Sequence, residues 1–577
     1  MVKKKINVKA LIGLIAVLVV FFLTAGITYA VRMGAYNDSF GAATTFFVDN
    51  VLVGNFMGSV TILIGTVVFA GYLILGRSFT DSFSGMLKAM IGVIMLKIGA
   101  GTLIGLARPI FSAISKLGTS VVPLDPYFVW NDSAAWLKNL NAGYEAWIAY
   151  AMLLGFFVNI VMVMLRKYTN THSIMLTGHV MFQQSAVVVP IVYFLLFYTQ
   201  GLEVNSGQIF GIIIISSLLL GLYWSVGSSA TIKGSDAITG NAGFCVGHQQ
   251  MLGLSIAYGI GRFFGKKEDS AETKKISNKI KIFEDNIFTQ TILIFILFLV
   301  LILIAQFSSL PSNDPNTVNT IRFVNSDGAI NPVYSQWNVD AKFWVINILL
   351  GSMKIVASIL VLQAGVRMFV TELQQSFQGI SEKLVSGSVV AVDVAATYGF
   401  SMNSVTYGFA SGTIAQFVAV GILIGISKGT NGNFPIVIPL FITLFFNSGS
   451  IGVFANASGG YKASIIVPAI FGFLEIFIIA FGIFALKSHA VAINSADSLP
   501  FRTGFLGMFD WNFFFGLSLG VGSWAKPLAI IVFAIVLPLA LVFVSQIVDS
   551  NRQYKKTYLQ KLFKINVNLL KTQENAA

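Results

Sequence analysis

The sequence predicts an all-α polytopic membrane protein of about twelve transmembrane helices, with re-entrant hairpins and an inverted repeat. Three observations carry this. Of 577 residues, 55% are hydrophobic and only 11% charged, whereas a soluble domain carries roughly 25% charge; mean hydropathy is +0.79. Apolar runs of spanning length recur along the whole chain. Polar residues that lipid cannot explain gather in a few glycine-containing motifs. The single cysteine excludes a disulfide-stapled scaffold and a thiolate-clustered zinc fold. The net charge of +13 belongs to loops and ends, where Lys and Arg mark the cytoplasmic side. It predicts a lipid bilayer as partner and no nucleic acid.

Taking the elements in order, the apolar run from Ala10 to Val31 follows Lys3, Lys4, Lys5 and Lys9 and is longer than the apolar core of a signal peptide. Residues 1–45 therefore read as an extra N-terminal transmembrane helix with an external linker. A cleavage site between Ala25 and Ala30 is the alternative, which the mature N-terminus decides. Further spans centre near residues 66, 100, 155, 192, 217, 298, 352, 415, 442, 475 and 538. An even total puts both ends on one side. The basic tail at 551–577, with Arg552, Lys555, Lys556, Lys561, Lys564 and Lys571, makes that side cytoplasmic. The Lys-rich loop at 265–285 falls inside by the same parity. The stretch at 308–342, rich in Asn, Ser, Asp and Pro, falls outside as an external insertion.

A weak repeat relates residues near 60–230 to those near 340–550. Ser120-Val-Val-Pro-Leu-Asp125 matches Ser388-Val-Val-Ala-Val-Asp393, and Phe182-Gln183 falls opposite Phe446-Asn447. The third and eighth spans, which align, run in opposite directions. That is an inverted repeat, a construction that transporters place around a central substrate site. The matched positions are the polar ones.

Two of the four histidines sit in apolar surroundings, each after a glycine and beside glutamines: His179 in Ile174-Met-Leu-Thr-Gly-His-Val-Met-Phe-Gln-Gln184, and His248 in Gly243-Phe-Cys-Val-Gly-His-Gln-Gln250. A buried polar group without a partner costs about 1–3 kcal/mol, so these side chains must pair with one another or line a wet cavity. Helix-to-helix hydrogen bonding is the bland alternative. Glycine argues against it, because irregular backbone at membrane depth survives only beside protein or water. Asp393 stands in an apolar run, where a carboxylate is a functional candidate by default; a protonated acid bonded to backbone is its structural alternative. Asp125, between two prolines, reads alone as a turn. Arg367 and Glu372, five apart at the end of an apolar run, read as interfacial anchors. Gly449-Ser-Ile-Gly-Val-Phe-Ala-Asn456 and Ser458-Gly-Gly460 interrupt the tenth span as a re-entrant hairpin would. No metal triad, nucleophile elbow or phosphate-cradling loop is present in the sequence.

At these motifs the chain resembles the L-ascorbate-specific IIC permease component of the bacterial phosphoenolpyruvate-dependent sugar phosphotransferase system, within the ascorbate/galactitol superfamily. The likeness runs from about residue 46 to 550. It rests on Ile174 to Gln184, Gly243 to Gln250 with Phe263-Phe-Gly-Lys-Lys-Glu268, Gly365-Val-Arg-Met-Phe-Val-Thr-Glu-Leu373, Asp393, Ile451-Gly-Val-Phe-Ala-Asn456 and Gly507-Met-Phe-Asp-Trp511. The resemblance implies a homodimeric permease in the bacterial cell membrane, with a core domain that binds ascorbate and a second domain that forms the dimer. It implies substrate contacts at His179, Val180, Met181, Phe182, Gln183, His248 or Gln249, Asp393, and the pair Pro126 and Tyr127. The family pattern carries a hydroxyl residue where this chain has Pro126. It further implies a transport subunit with no bound cofactor and no catalytic residue. Its phosphoenolpyruvate-derived phosphoryl group comes through separate IIA and IIB proteins, the last carrying a phosphocysteine. Cys245 lies in an apolar segment, so no IIB domain is fused here. The 265–285 loop is a candidate dock for IIB, although cytoplasmic charge bias explains it equally.

Ascorbate is a small monoanion covered in hydroxyls. His and Gln supply both donors and acceptors for it. An ionised Asp393 repels it unless a hydroxyl donates to the carboxylate or the acid is protonated. Rival readings are an ion-coupled carrier of a sugar acid with Asp393 as the ion ligand, a phosphotransferase permease for another carbohydrate such as galactitol, and a membrane enzyme acting on lipid. The last lacks the Asp and Arg clusters it would need.

Overall fold

The long apolar runs become helices, and a few short ones become buried strands. The computed structural model describes residues 8–47, 50–51, 59–116, 121–141, 143–199, 202–274, 285–308, 321–340, 342–385, 387–440, 442–492, 510–511 and 531–570. The first half runs α1 (Val8–Ala35), α2 (Phe40–Phe46), α3 (Val60–Ile74), α4 (Phe79–Ser115), β1 (Val121–Leu124), α5 (Pro126–Leu140), α6 (Ala146–Met164), α7 (Arg166–Thr169), β2 (Ser173–Met175), α8 (Gly178–Val192), α9 (Ser206–Thr239), β3 (Phe244–Gly247), α10 (Met251–Gly261) and α11 (Asn286–Phe307). The second half runs α12 (Trp344–Leu384), β4 (Val389–Asp393), α13 (Met402–Gly429), β5 (Ile436–Pro439), α14 (Ser448–Ala492), α15 (Leu537–Ile547) and α16 (Tyr558–Leu562).

Among the described residues, eight helices are long and apolar enough to cross a membrane. This is the architecture of a multi-pass membrane protein. Their outer faces confirm the solvent they expect: α11 exposes Ile287, Ile296, Val300, Ile304 and Phe307 while burying Phe298, Leu301, Ile302 and Ala305. An apolar stripe of that extent calls for lipid or a partner surface against it. The N-terminal run forms α1, with Phe22, Leu23 and Ile27 exposed; Lys3, Lys4 and Lys5 lie outside the described residues.

Among the described residues, two small parallel sheets interrupt the helices. β1 pairs with β5, and β4 lies between β2 and β3. The segments aligned in the sequence as 120–125 and 388–393 supply β1 and β4. Strand edges buried in an apolar bundle still need partners, and side chains from neighbouring helices provide them. On the outer edge of β2, Asn159 of α6 accepts from Met175 N (2.9 Å) and donates to Ser173 O (3.1 Å). On the outer edge of β3, the Thr231 hydroxyl of α9 accepts from Val246 N (3.1 Å) and donates to Val246 O (2.9 Å). Each amide or hydroxyl thus stands in for a missing strand.

The spans expected near 442 and 475 occupy one hairpin. A Cβ on Gly412 of α13 would meet both Ser448 Oγ and Pro468 O, which a continuous helix would hold about 30 Å apart. The chain therefore doubles back within α14, at Gly460, whose φ is 68° and ψ −159°.

Three polar segments that read as free loops or anchors are folded onto the bundle. In the 265–285 loop, Glu272 accepts from Asn403 N (3.1 Å) and Ser404 N (2.9 Å), capping α13, and Asp269 O accepts from Tyr461 N (2.7 Å); residues 275–284 lie outside the description. In the 308–342 insertion, Trp337 is fully buried and donates to Leu106 O of α4 (2.6 Å). In the basic tail, Arg552 grips Asp236 of α9 through both carboxylate oxygens (2.7 and 3.0 Å), and Lys233 pairs with Asp549 (2.6 Å). Glu372 corrects the sequence reading. It is 8% exposed and is held by the Tyr72 hydroxyl of α3, because its partner comes from another helix rather than from the interface. The Arg367 side chain lies outside the description.

Candidate functional site

The central site is built where strands end and helices begin. β2 is followed by the first turn of α8, β3 by His248, Gln249, Gln250 and α10, and β4 by a 3₁₀ turn at Val394–Phe400. In parallel sheets the carboxyl ends of strands and the amino ends of the following helices face one crevice, which favours negative charge. Glycines allow the approach. A Cβ on Gly247 would lie 2.4 Å from Thr177 Oγ1, and one on Gly178 would lie 2.4 Å from Leu373 Cδ2. This is the physical content of the two Gly-His motifs.

Three segments distant in the chain converge there. His179 Nε2 lies 3.0 Å from Asp393 Oδ2, and Asp393 Oδ1 accepts from Ala395 N (2.8 Å). Both carboxylate oxygens are thus engaged by donors. His248 is 5% exposed and within electrostatic reach of both Asp393 and His179. Gln249 Nε2 donates to Gln183 Oε1 (2.6 Å). Behind them, Gln184 donates to His248 O (3.3 Å) and accepts from Trp224 Nε1 (2.5 Å). Gln250 donates to Asn447 O (3.1 Å).

What remains open is as informative as what is paired. Among the described residues, buried His179 Nδ1, Gln249 Oε1 and the Tyr398 hydroxyl have no hydrogen-bond partner. With Nε2 directed at Asp393, Nδ1 is the nitrogen left without a partner. Leaving such groups unmet costs about 1–3 kcal/mol each. A polar ligand would satisfy them.

Of the residues singled out in the sequence, His179, Phe182 and Gln183 line one face of α8 around a small cavity closed by Trp130, Leu96 and Phe369. Val180 and Met181, on the same turn, point into the hydrophobic core. Pro126 opens α5, whose Trp130 packs edge-on against Phe182 with ring centroids 5.0 Å apart. The helix after β1 thereby packs on the helix after β2, and Thr443 Oγ1 donates to Leu124 O (2.8 Å) to hold β1 against β5. The Tyr127 side chain lies outside the description. Asp125 is 1% exposed at the end of β1. Cys245 is fully buried in β3 with its sulfur 2.9 Å from Ser173 Oγ.

Tyr398 was missed by sequence reasoning. It stacks on Phe446 and meets Phe445 edge-on, within electrostatic reach of Asp393. The one available signal was its position, five residues after the acid.

Residues 55–515 match the family described as PTS system sugar-specific permease component. The chain is also 42% identical to the ascorbate-specific PTS system EIIC component of Mycoplasma pneumoniae, over 98% of this chain and 97% of that protein.

Proposed function

The chain belongs to the sugar-specific permease components of the phosphotransferase system, and from that premise we propose that it binds and translocates L-ascorbate, which a separate IIB protein phosphorylates. The observation that carries this reading is the pair of unmet buried groups, His179 Nδ1 on the ring that meets Asp393 and Gln249 Oε1 on the amide that meets Gln183. Ascorbate offers enolate and carbonyl oxygens to donors and hydroxyls to acceptors. The His248 imidazole, whose Nδ1 accepts from Gln250 N, and the amino end of α8 meet the anionic edge, while His179 Nδ1 accepts a hydroxyl. Gln249 Oε1 accepts a hydroxyl. Asp393, one-third exposed at its side chain, takes another and escapes repulsion by the anion in doing so. Phe182 and Trp130 supply the apolar wall.

The inverted repeat accounts for the strand pairing. If β1 corresponds to β4 and β2 to β5, a two-fold operation exchanges the β1–β5 pair with the β4–β2 pair, and both occur. The sites of alternating access then lie on that axis. A homodimer, cytoplasmic ends and docking of IIB on the face carrying 265–285 complete the proposal. The buried Cys245 is no phosphoryl carrier, so the phosphoryl group passes from IIA through IIB to a hydroxyl of the bound substrate.

Proteoliposomes containing the full chain test this. Labelled ascorbate accumulates as its phosphate only when phosphoenolpyruvate and the phosphoryl-transfer proteins through IIB are enclosed, and excess galactitol does not compete. Uptake driven by an ion gradient without IIB would replace the proposal with a secondary carrier. Competition by galactitol would replace the substrate.

A further inference from the structure

Asp510 belongs to no part of the site described above, yet it is 2% exposed and surrounded by donors. Its Oδ2 accepts from Leu252 N (2.7 Å) and from the Tyr223 hydroxyl (2.6 Å), and its Oδ1 accepts from Gly253 N (2.8 Å). Leu252 and Gly253 are in the first turn of α10, where the backbone N–H groups have no partner within the helix. The residue placed to cap them, Gln250, makes no side-chain cap and donates to Asn447 O instead. A carboxylate from the far end of the chain does the capping. Gly253 leaves room for it, since a Cβ there would lie 3.2 Å from Asp510 Oδ1.

The same hydroxyl that reaches Asp510 ties the cap to the loop. Tyr223 Oη lies 3.0 Å from Gln249 O and accepts from Met251 N (3.2 Å), and its ring packs on Trp511 with centroids 4.6 Å apart. Backbone from Gln249 O to Gly253 N is therefore fixed by one acid and one phenol. We infer that Asp510 is a positioning residue for the substrate site, setting the path of His248, Gln249 and Gln250 by capping α10 and orienting Tyr223. The inference rests on the reading that Gln249 contacts substrate. Asn at 510 keeps one acceptor and puts an NH₂ donor against donors, so the loop relaxes while the bundle stays packed.

Ascorbate binding to the purified full-length protein, with uptake kinetics alongside, provides the test. Asp510→Asn weakens binding about tenfold, as expected for losing a hydrogen bond to a charged group, and raises KM while leaving the maximal rate near that of the unaltered protein. Gln249→Ala weakens binding by a similar factor. In the double variant the Asp510→Asn change adds less than about threefold, because positions that act through one another are not additive. Tyr223→Phe, which keeps the acid and both backbone bonds, weakens binding about threefold and serves if Asp510→Asn does not fold. Weak binding by Gln249→Ala with undiminished binding by Asp510→Asn overturns the positioning role and leaves the site intact. Undiminished binding by Gln249→Ala overturns the site itself. Multiplicative losses in the double variant place Asp510's effect elsewhere and also overturn the inference.

Discussion

Asp393→Asn binds ascorbate about 30-fold more weakly than the unaltered protein, a loss of about 2 kcal/mol. The acid stands at the end of β4, where Ala395 N–H holds Oδ1 and His179 Nε2 holds Oδ2. Asparagine can still accept from Ala395. Its amide NH₂ then faces His179 Nε2, donor against donor, and the imidazole loses the partner that fixes its orientation. Charge-assisted hydrogen bonds are worth about 1.5–3 kcal/mol. The Asp393 side chain is 32% exposed, which places the loss in the middle of that range. Asp393→Ala loses more, since it also uncaps the 3₁₀ turn beginning at Val394. Equilibrium binding to the purified variants measures both. If Asp393→Asn bound as tightly as the unaltered protein, the pairing with His179 would have no part in recognition. Binding by Asp393→Asn that vanished at every pH would exclude a protonated acid as the binding form.

The second large effect is structural. Gly460→Ala costs about 3 kcal/mol or more and lowers the thermal unfolding midpoint in detergent. With φ 68° and ψ −159°, Gly460 occupies backbone territory that is essentially closed to other residues. An added Cβ would lie 2.2 Å from Lys266 O and 2.5 Å from Asp269 O. Those carbonyls belong to the segment that delivers Glu272 to the amino end of α13. Alanine therefore strains the α14 hairpin and pushes off the cap of a spanning helix that follows directly from Asp393 and its 3₁₀ turn. Gly421→Ala, on α13 with nothing within 4 Å of its Cβ, is the control and stabilises slightly if at all. Equal midpoints for the two variants would mean that the turn at 460 tolerates a side chain.

Much of the site was legible because it breaks the local rule. Gly-His-Val-Met-Phe-Gln and Gly-His-Gln-Gln are unreasonable within lipid-facing helices, and so is Asp393, so their purpose had to be tertiary. The strands that organise them were legible only as a faint repeat. A run such as Ile174-Met or Val389-Val-Ala-Val fits a buried helix as well as a buried strand, and periodicity cannot separate the two at three to five residues. Glu372 reads as an anchor from its sequence neighbours because its partner, Tyr72, comes from another helix. The attachment of the 265–285 loop is hidden for the same reason: Glu272 looks like one more solvated acid until it is seen to cap α13. Asp510, flanked by Phe509 and Trp511, offers no local hint that it holds the first turn of α10. Contacts between segments hundreds of residues apart leave no trace in spacing.

The most direct test of the central claim is the position of the ligand in an experimental structure solved with saturating ascorbate. The lactone ring should lie in the crevice where β2, β3 and β4 end, with oxygens within about 3.2 Å of Gln249 Oε1 and His179 Nδ1 and a hydroxyl directed at Asp393. Ascorbate bound in a different chamber, with those two atoms still unmet, would contradict it.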